Sequence, residues 1–209
     1  MQTMRNMLIF AALFVLAALA PAGARPAAGP GALGEVKAVD VTLWDLELIN
    51  QDGRKVKFKT DVVGDRVVVI IPFYTTCTTS YPILIYTFTR LQELLGQRLG
   101  KEVTLVSVSV DPRTDIPIRL KAFANRQKAG PGWVFLSGDK NNLAITLAGI
   151  GILFSSNLDE HNHTPFTVVG GAGMQWKRFY GYPSPELLLS NINTMVASPQ
   201  RGGKSERTK

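Results

Sequence analysis

Two short runs dominated by β-branched apolar residues, Arg66-Val-Val-Val-Ile-Ile71 and Val103-Thr-Leu-Val-Ser-Val-Ser-Val110, have the pattern of strands covered on both faces. Between them Leu84, Phe88, Leu91 and Leu95 recur at helical spacing, which predicts a helix running to about Leu99. Pro82 falls in its first turn, where a missing N–H costs little. Upstream, Val41-Thr-Leu-Trp-Asp-Leu-Glu-Leu-Ile49 and Lys55-Val-Lys-Phe58 alternate about Asn50-Gln-Asp-Gly53, the pattern of a hairpin. Downstream come a helix over 117–126, a short strand over 133–136 and a short helix over 141–147. A second hairpin follows, 166–169 and 175–179 about Gly170-Gly-Ala-Gly173, and an amphipathic helix over 185–196 closes the pattern. The order ββ, βαβα, βα, ββα predicts one α/β domain. Its central mixed sheet has right-handed crossovers between parallel strands, helices on both faces and an N-terminal β-hairpin extension. No internal repeat is present.

The two ends of the chain differ from this core. Met7 to Ala20 is an apolar run of fourteen residues behind a short segment carrying Arg5 and no acid, and small residues follow it. That is the layout of a secretory signal peptide over 1–24, with an uncleaved N-terminal anchor as the alternative. Residues 25–39, rich at first in Pro, Ala and Gly, are expected to be a flexible linker, 40–197 the folded domain, and 198–209 a basic disordered tail. The expected location is outside the cytoplasm, periplasmic in a bacterium. The formal net charge of +7 is concentrated at these ends: without Arg5 and the last nine residues, 18 basic face 15 acidic residues, +3. With no basic stripe and no interleaved aromatics, nucleic-acid binding is excluded as a working reading.

Cys77 is the only cysteine of the 209 residues and sits where the first core strand gives way to a helix. The positive end of the helix dipole favours a thiolate there, and with it reactivity or metal ligation; the alternative is a cysteine that merely packs. An exported chain with one cysteine makes no internal disulfide, so Cys77 is a free thiol, a ligand or half of a bond to another molecule. Asp111, at the carboxyl end of the second core strand, is either a supporting polar group or a turn former before Pro112. Tyr74 and Tyr86 line either the site or the core, and Trp133 and Trp176 are expected in the core or on a hairpin face.

Five pieces in order, Asn50-Gln-Asp-Gly53, Phe73-Tyr-Thr-Thr-Cys77-Thr-Thr, Ser107-Val-Ser-Val-Asp-Pro112, Trp133-Val-Phe-Leu-Ser-Gly138 and His163-Thr-Pro, resemble the SCO/SenC family. These are exported copper chaperones of cytochrome c oxidase assembly, and the resemblance spans roughly residues 40 to 197. It implies a thioredoxin-like fold. In that family a Cys-x-x-x-Cys pair and a distant histidine bind copper, and the two cysteines also form a disulfide. The first cysteine matches Cys77 and the histidine matches His163, but Tyr81 stands at the second cysteine. Phenol is a hard, weakly acidic ligand poorly suited to Cu(I), and an internal dithiol is ruled out. His161, two residues before His163, faces the same way if the segment is extended and would complete a Cys-His-His set; otherwise it is a solvent-exposed loop histidine.

The resemblance therefore implies copper binding and delivery in oxidase assembly, or copper and redox homeostasis, with an altered metal site of Cys77 and His163. The implied partners are the copper-site subunit of cytochrome c oxidase or another copper chaperone. Two other readings compete. One is a one-cysteine thiol peroxidase acting through Cys77, against which stands the lack of a threonine three residues before it. The other is an interaction domain whose site has decayed.

Overall fold

β-Branched runs with both faces buried build the centre of the sheet. The computed structural model describes residues 36–78, 81–152 and 165–198. Strand β4 (Val67–Phe73) and strand β5 (Val103–Ser109) are buried along their whole length and pair in parallel from Val67–Val103 to Phe73–Ser109. Six further strands are β1 (Val36–Val39), β2 (Glu47–Asn50), β3 (Lys55–Lys57), β6 (Trp133–Ser137), β7 (Phe166–Gly170) and β8 (Trp176–Tyr180). The sheet order is β1-β8-β7-β4-β5-β6-β2-β3, with β4-β5-β6 parallel and every other pair antiparallel. This is the expected mixed sheet, and the β2–β3 hairpin extends it from the outer side of β6.

The two-residue period of β4 divides the core. Val67, Val69, Ile71 and Phe73 face helices α1 (Tyr81–Leu95), α2 (Pro117–Arg126) and α4 (Pro185–Ala197). Val68 and Ile70 face α3 (Lys140–Gly149) and a π-helical turn over Phe58–Val63. Among the described residues helices thus cover both faces, three on one and one on the other. Local signals set their starts: Asp139 accepts from Asn141 and Asn142 N–H at 2.9 and 3.0 Å, and the Ser184 hydroxyl accepts from Leu187 N–H at 3.2 Å ahead of Pro185.

Several expectations change at the edges. Val36–Val39, expected to end a linker, is an edge strand registered against Trp176–Phe179, because the outer side of β8 offers unpaired backbone groups. The strand expected over 41–49 shortens to Glu47–Asn50. Before it the backbone bonds outside the sheet, with Thr42 N–H donating to the Gly149 carbonyl at 2.9 Å. After β3 the chain winds into the π-helical turn, closed by Gly64 N–H to the Lys59 carbonyl at 2.9 Å and by Lys57 N–H to the Asp61 carboxylate at 2.8 Å. α1 stops at Leu95, before Gly96 with φ +52° and a short 3-10 turn. The late hairpin forms as expected, and Gly170 is required there: a Cβ would lie 2.2 Å from the Trp176 ring.

An aromatic cluster lies where β4 ends. The Phe73 ring centroid is 5.6 Å from that of Phe123 and 5.5 Å from that of Phe135, whose ring stacks on Trp133 at 5.1 Å. Phe73→Ala is expected to lower unfolding free energy by about 3–5 kcal/mol in a urea titration, through lost burial and a retained cavity.

Candidate functional site

Because β4 and β5 are parallel neighbours, the loops that follow them leave the same edge of the sheet side by side. Val110 N–H donates to the Phe73 carbonyl at 2.9 Å, carrying the ladder one step into the loops. The β4–β7 ladder has already ended at Ile70–Val168, so Pro72, which has no N–H to give, lies beyond it. Cys77 sits in the loop after β4, in a turn closed by its own N–H on the Tyr74 carbonyl at 3.2 Å.

A buried carboxylate clasps the two loops together. Asp115, in the loop after β5, is fully buried. Its Oδ1 accepts from the Thr75 hydroxyl at 2.5 Å and from Thr75 N–H at 3.1 Å, and its Oδ2 accepts from the Ser109 hydroxyl at 2.6 Å. The Ser109 hydroxyl in turn accepts from Asp111 N–H at 3.0 Å. A buried carboxylate is tolerated only where donors replace water, and here they come from the two strand ends that frame Cys77. Thr75, two residues before the thiol, is held through both backbone and side chain.

The thiol is half-buried and packs against the main core cluster alongside Tyr74 and Tyr81. Tyr81, the first residue of α1, is buried, and its ring meets that of Tyr74 edge-on with centroids 5.4 Å apart at 82°. Burial first, then the nearby Cys77 and Tyr74 groups, pushes the Tyr81 phenol well above the ordinary tyrosine range. At neutral pH it is a protonated phenol, so the residue at the fourth position after Cys77 supplies no anionic ligand.

Chemically, the described part of the site offers one soft donor, the Cys77 sulfur, beside a neutral phenol. Among the described residues no group of three or more His, Cys, Asp or Glu side chains could hold a metal ion. His161 and His163 lie outside the described residues, as do the expected leader and tail. Asp111 is a turn former: its carbonyl accepts from Thr114 and Asp115 N–H at 3.2 and 2.9 Å. Tyr74 borders the thiol and Tyr86 points to solvent. Trp133 is a core residue whose Nε1–H donates to the Ser107 hydroxyl at 3.1 Å, and Trp176 is buried against Gly170. Sequence reasoning picked Asp111 and passed over Asp115. The available signal was a second carboxylate in the loop after a parallel strand, just before the helix-starting Pro117.

Comparison with known proteins agrees with this fold. Residues 39–197 match the family model described as SCO1/SenC. BsSco, a Sco-family cytochrome c oxidase assembly protein with a disulfide switch, has a similar fold: TM-score 0.63 and 23% identity over 78% of this chain and 98% of that one. A SCO1/SenC family lipoprotein from Bacillus anthracis gives 0.64 and 22%, over 77% and 98%. Yeast Sco1 with copper bound gives 0.60 and 15%, over 86% and 94%. None of the curated protein sequences is similar enough to this chain to count as a match.

Two predictions follow from the clasp and the phenol. Asp115→Ala strands the Thr75 and Ser109 donors and is expected to cost about 2–4 kcal/mol in urea unfolding, with faster alkylation of Cys77 in the native protein. Unchanged stability would show that the clasp carries no load. For Tyr81 the folded pKa lies above the unfolded value, so the folded state keeps a proton that the unfolded chain releases. Its contribution is intact below pH ~10 and falls as pH rises further. Tyr81→Phe should flatten that alkaline loss of stability and remove from the ultraviolet phenolate signal a phenol that ionises above the ordinary tyrosine range.

Proposed function

Because the chain belongs to the SCO1/SenC family, we propose that it is an exported copper-binding protein of cytochrome c oxidase assembly, working with one thiolate where its relatives use two. The observation that carries this reading is the placement of Cys77. It lies half-buried at the carboxyl edge of the sheet, on a loop that Asp115 pins through Thr75. Copper is the cargo. Cys77 and His163 would hold it, with His161 as a further nitrogen donor, a thiolate–imidazole set suited to a soft-to-intermediate ion. Tyr81 stays protonated and occupies the second thiol position with a packed ring, so the protein forms no internal disulfide and exchanges thiols only with another molecule.

Delivery outside the cytoplasm fits the leader over residues 1–24, either cleaved or kept as an anchor. Among the described residues no helix is long and apolar enough to cross a membrane. The recipient on this reading is the copper-site subunit of the oxidase, or a further chaperone that passes copper on.

Anaerobic titration of the reduced protein with Cu(I) is expected to give one equivalent bound. Cys77→Ser should abolish stoichiometric binding, His163→Ala should weaken it, and Tyr81→Cys should tighten it by more than about tenfold, ~1.4 kcal/mol, by restoring a second thiolate. Stoichiometric Cu(I) retained in Cys77→Ser would overturn the assignment. Peroxide turnover with an external thiol, in the absence of copper binding, would replace it with a thiol-enzyme role.

A further inference from the structure

α1 buries Leu84, Phe88, Leu91 and Leu95 against the sheet, yet its outward face is not polar. Ile83, Tyr86, Arg90 and Leu94 follow one another at spacings of three, four and four, which sets them in one row along the helix. All four are exposed, Tyr86 at 65% and Leu94 at 41%. α4 lies alongside on the same face of the sheet, where Arg98 Nη1 donates to Asn193 Oδ1 at 2.7 Å. Leu189 and Val196, four residues before and three after Asn193, share that flank of α4. Leu189 is half-buried and Val196 exposed. Single exposed apolar residues mean little, whereas a row along one helix continued by its neighbour marks an interaction surface.

Charge narrows the occupant. Across the 15 residues of α1 and the 13 of α4 the only charges are Arg90, Glu93 and Glu186. An ordinary chain carries about seven in that length. Glu186 stands in the first turn of α4, and Arg90 pairs with Glu93 inside α1. The face is therefore apolar and locally neutral, with one positive and one negative group side by side at mid-helix. Such a surface has no field with which to select a charged partner. It is self-complementary: a two-fold axis near Arg90 sets Tyr86 of each copy against Leu94 of the other and brings Arg90 of each to Glu93 of the other.

We propose that two copies of this chain pair through α1, antiparallel and two-fold symmetric, with Leu189 and Val196 of α4 flanking the contact. Tyr86 and Leu94 supply the desolvated centre, and the crossed Arg90–Glu93 pairs set the register. Because α1 begins at the edge that carries Cys77, antiparallel pairing sends the two Cys77 loops to opposite ends. They stand further apart than the length of α1, about 20 Å at 1.5 Å per residue, so both thiols stay open and no disulfide links the paired copies. The pairing is independent of what Cys77 binds.

The experiment is sedimentation equilibrium of the full chain under reducing conditions over a range of concentrations. A reversible monomer–dimer equilibrium is expected. The apolar run over residues 7–20 is common to every sample, so the comparison between variants isolates α1. Tyr86→Glu and Leu94→Glu are each expected to weaken the dimer at least ~10-fold. Arg90→Glu should weaken it as well, and Arg90→Glu combined with Glu93→Arg should restore it, because the exchanged pair still meets its opposite across the axis. That double variant also keeps the ion pair within α1, so it decides the matter if a single variant loses stability in urea unfolding at low concentration. Cys77→Ser should dimerise like the unaltered protein. A single mass at all concentrations, or equal association by Tyr86→Glu and Leu94→Glu, would overturn the proposal. So would a charge exchange that fails to restore the dimer, which would mean that the face meets a different surface. Leu94-dependent binding of a monomer to phosphatidylglycerol vesicles would overturn it in favour of a lipid surface.

Discussion

The carboxylate of Asp115 is the interaction on which the edge carrying the candidate site depends. Removed from water, it is stable only because the Thr75 backbone, the Thr75 hydroxyl and the Ser109 hydroxyl all donate to it. Those donors belong to two different strand ends. One carboxylate therefore fixes the loop that presents Cys77 and, through the residues that follow it, the start of α2. The thiol loop and the start of α2 are thus tied to the same buried charge.

That arrangement is available only because β4 and β5 run parallel. An antiparallel neighbour would carry its following loop to the other end of the sheet, away from Cys77. β4 is suited to its central place by alternation in a wholly apolar run: odd positions meet α1, α2 and α4, and even positions meet α3 and the π-helical turn. Pro72 fits the same logic. A proline inside a central strand is tolerated where the ladder no longer requires its N–H, and the pairing of β4 with β7 stops two residues earlier.

Much of this was legible in the residues, for identifiable reasons. The buried strands, the four helices and the two hairpins follow from periodicity and turn chemistry, which are local. Val36–Val39 was not legible, because a short edge strand depends on what β8 leaves unpaired rather than on its own alternation. Nor was the π-helical turn after β3, where Asp61 and Gly64 close a ring that no propensity favours. At the site, Cys77 stood out as the lone thiol at a strand end, and Tyr81 as the departure from a two-cysteine pattern. Asp115 did not stand out, because its role exists only once Thr75, forty residues earlier, is folded against it.

Tyr81 has a structural role of its own. A cysteine at that position would place a small soft group beside Cys77. Tyrosine instead fills the space with a buried ring set edge-on against Tyr74, and that burial keeps its hydroxyl protonated. The same packing that stabilises the start of α1 thus withdraws the position from metal chemistry, since a buried neutral phenol offers a soft cation little. Replacing the ring with a thiol would open a cavity at the edge of the main core, so ligation and packing are in opposition at this residue. Any soft-metal chemistry at this edge must therefore draw on Cys77 and on donors outside α1.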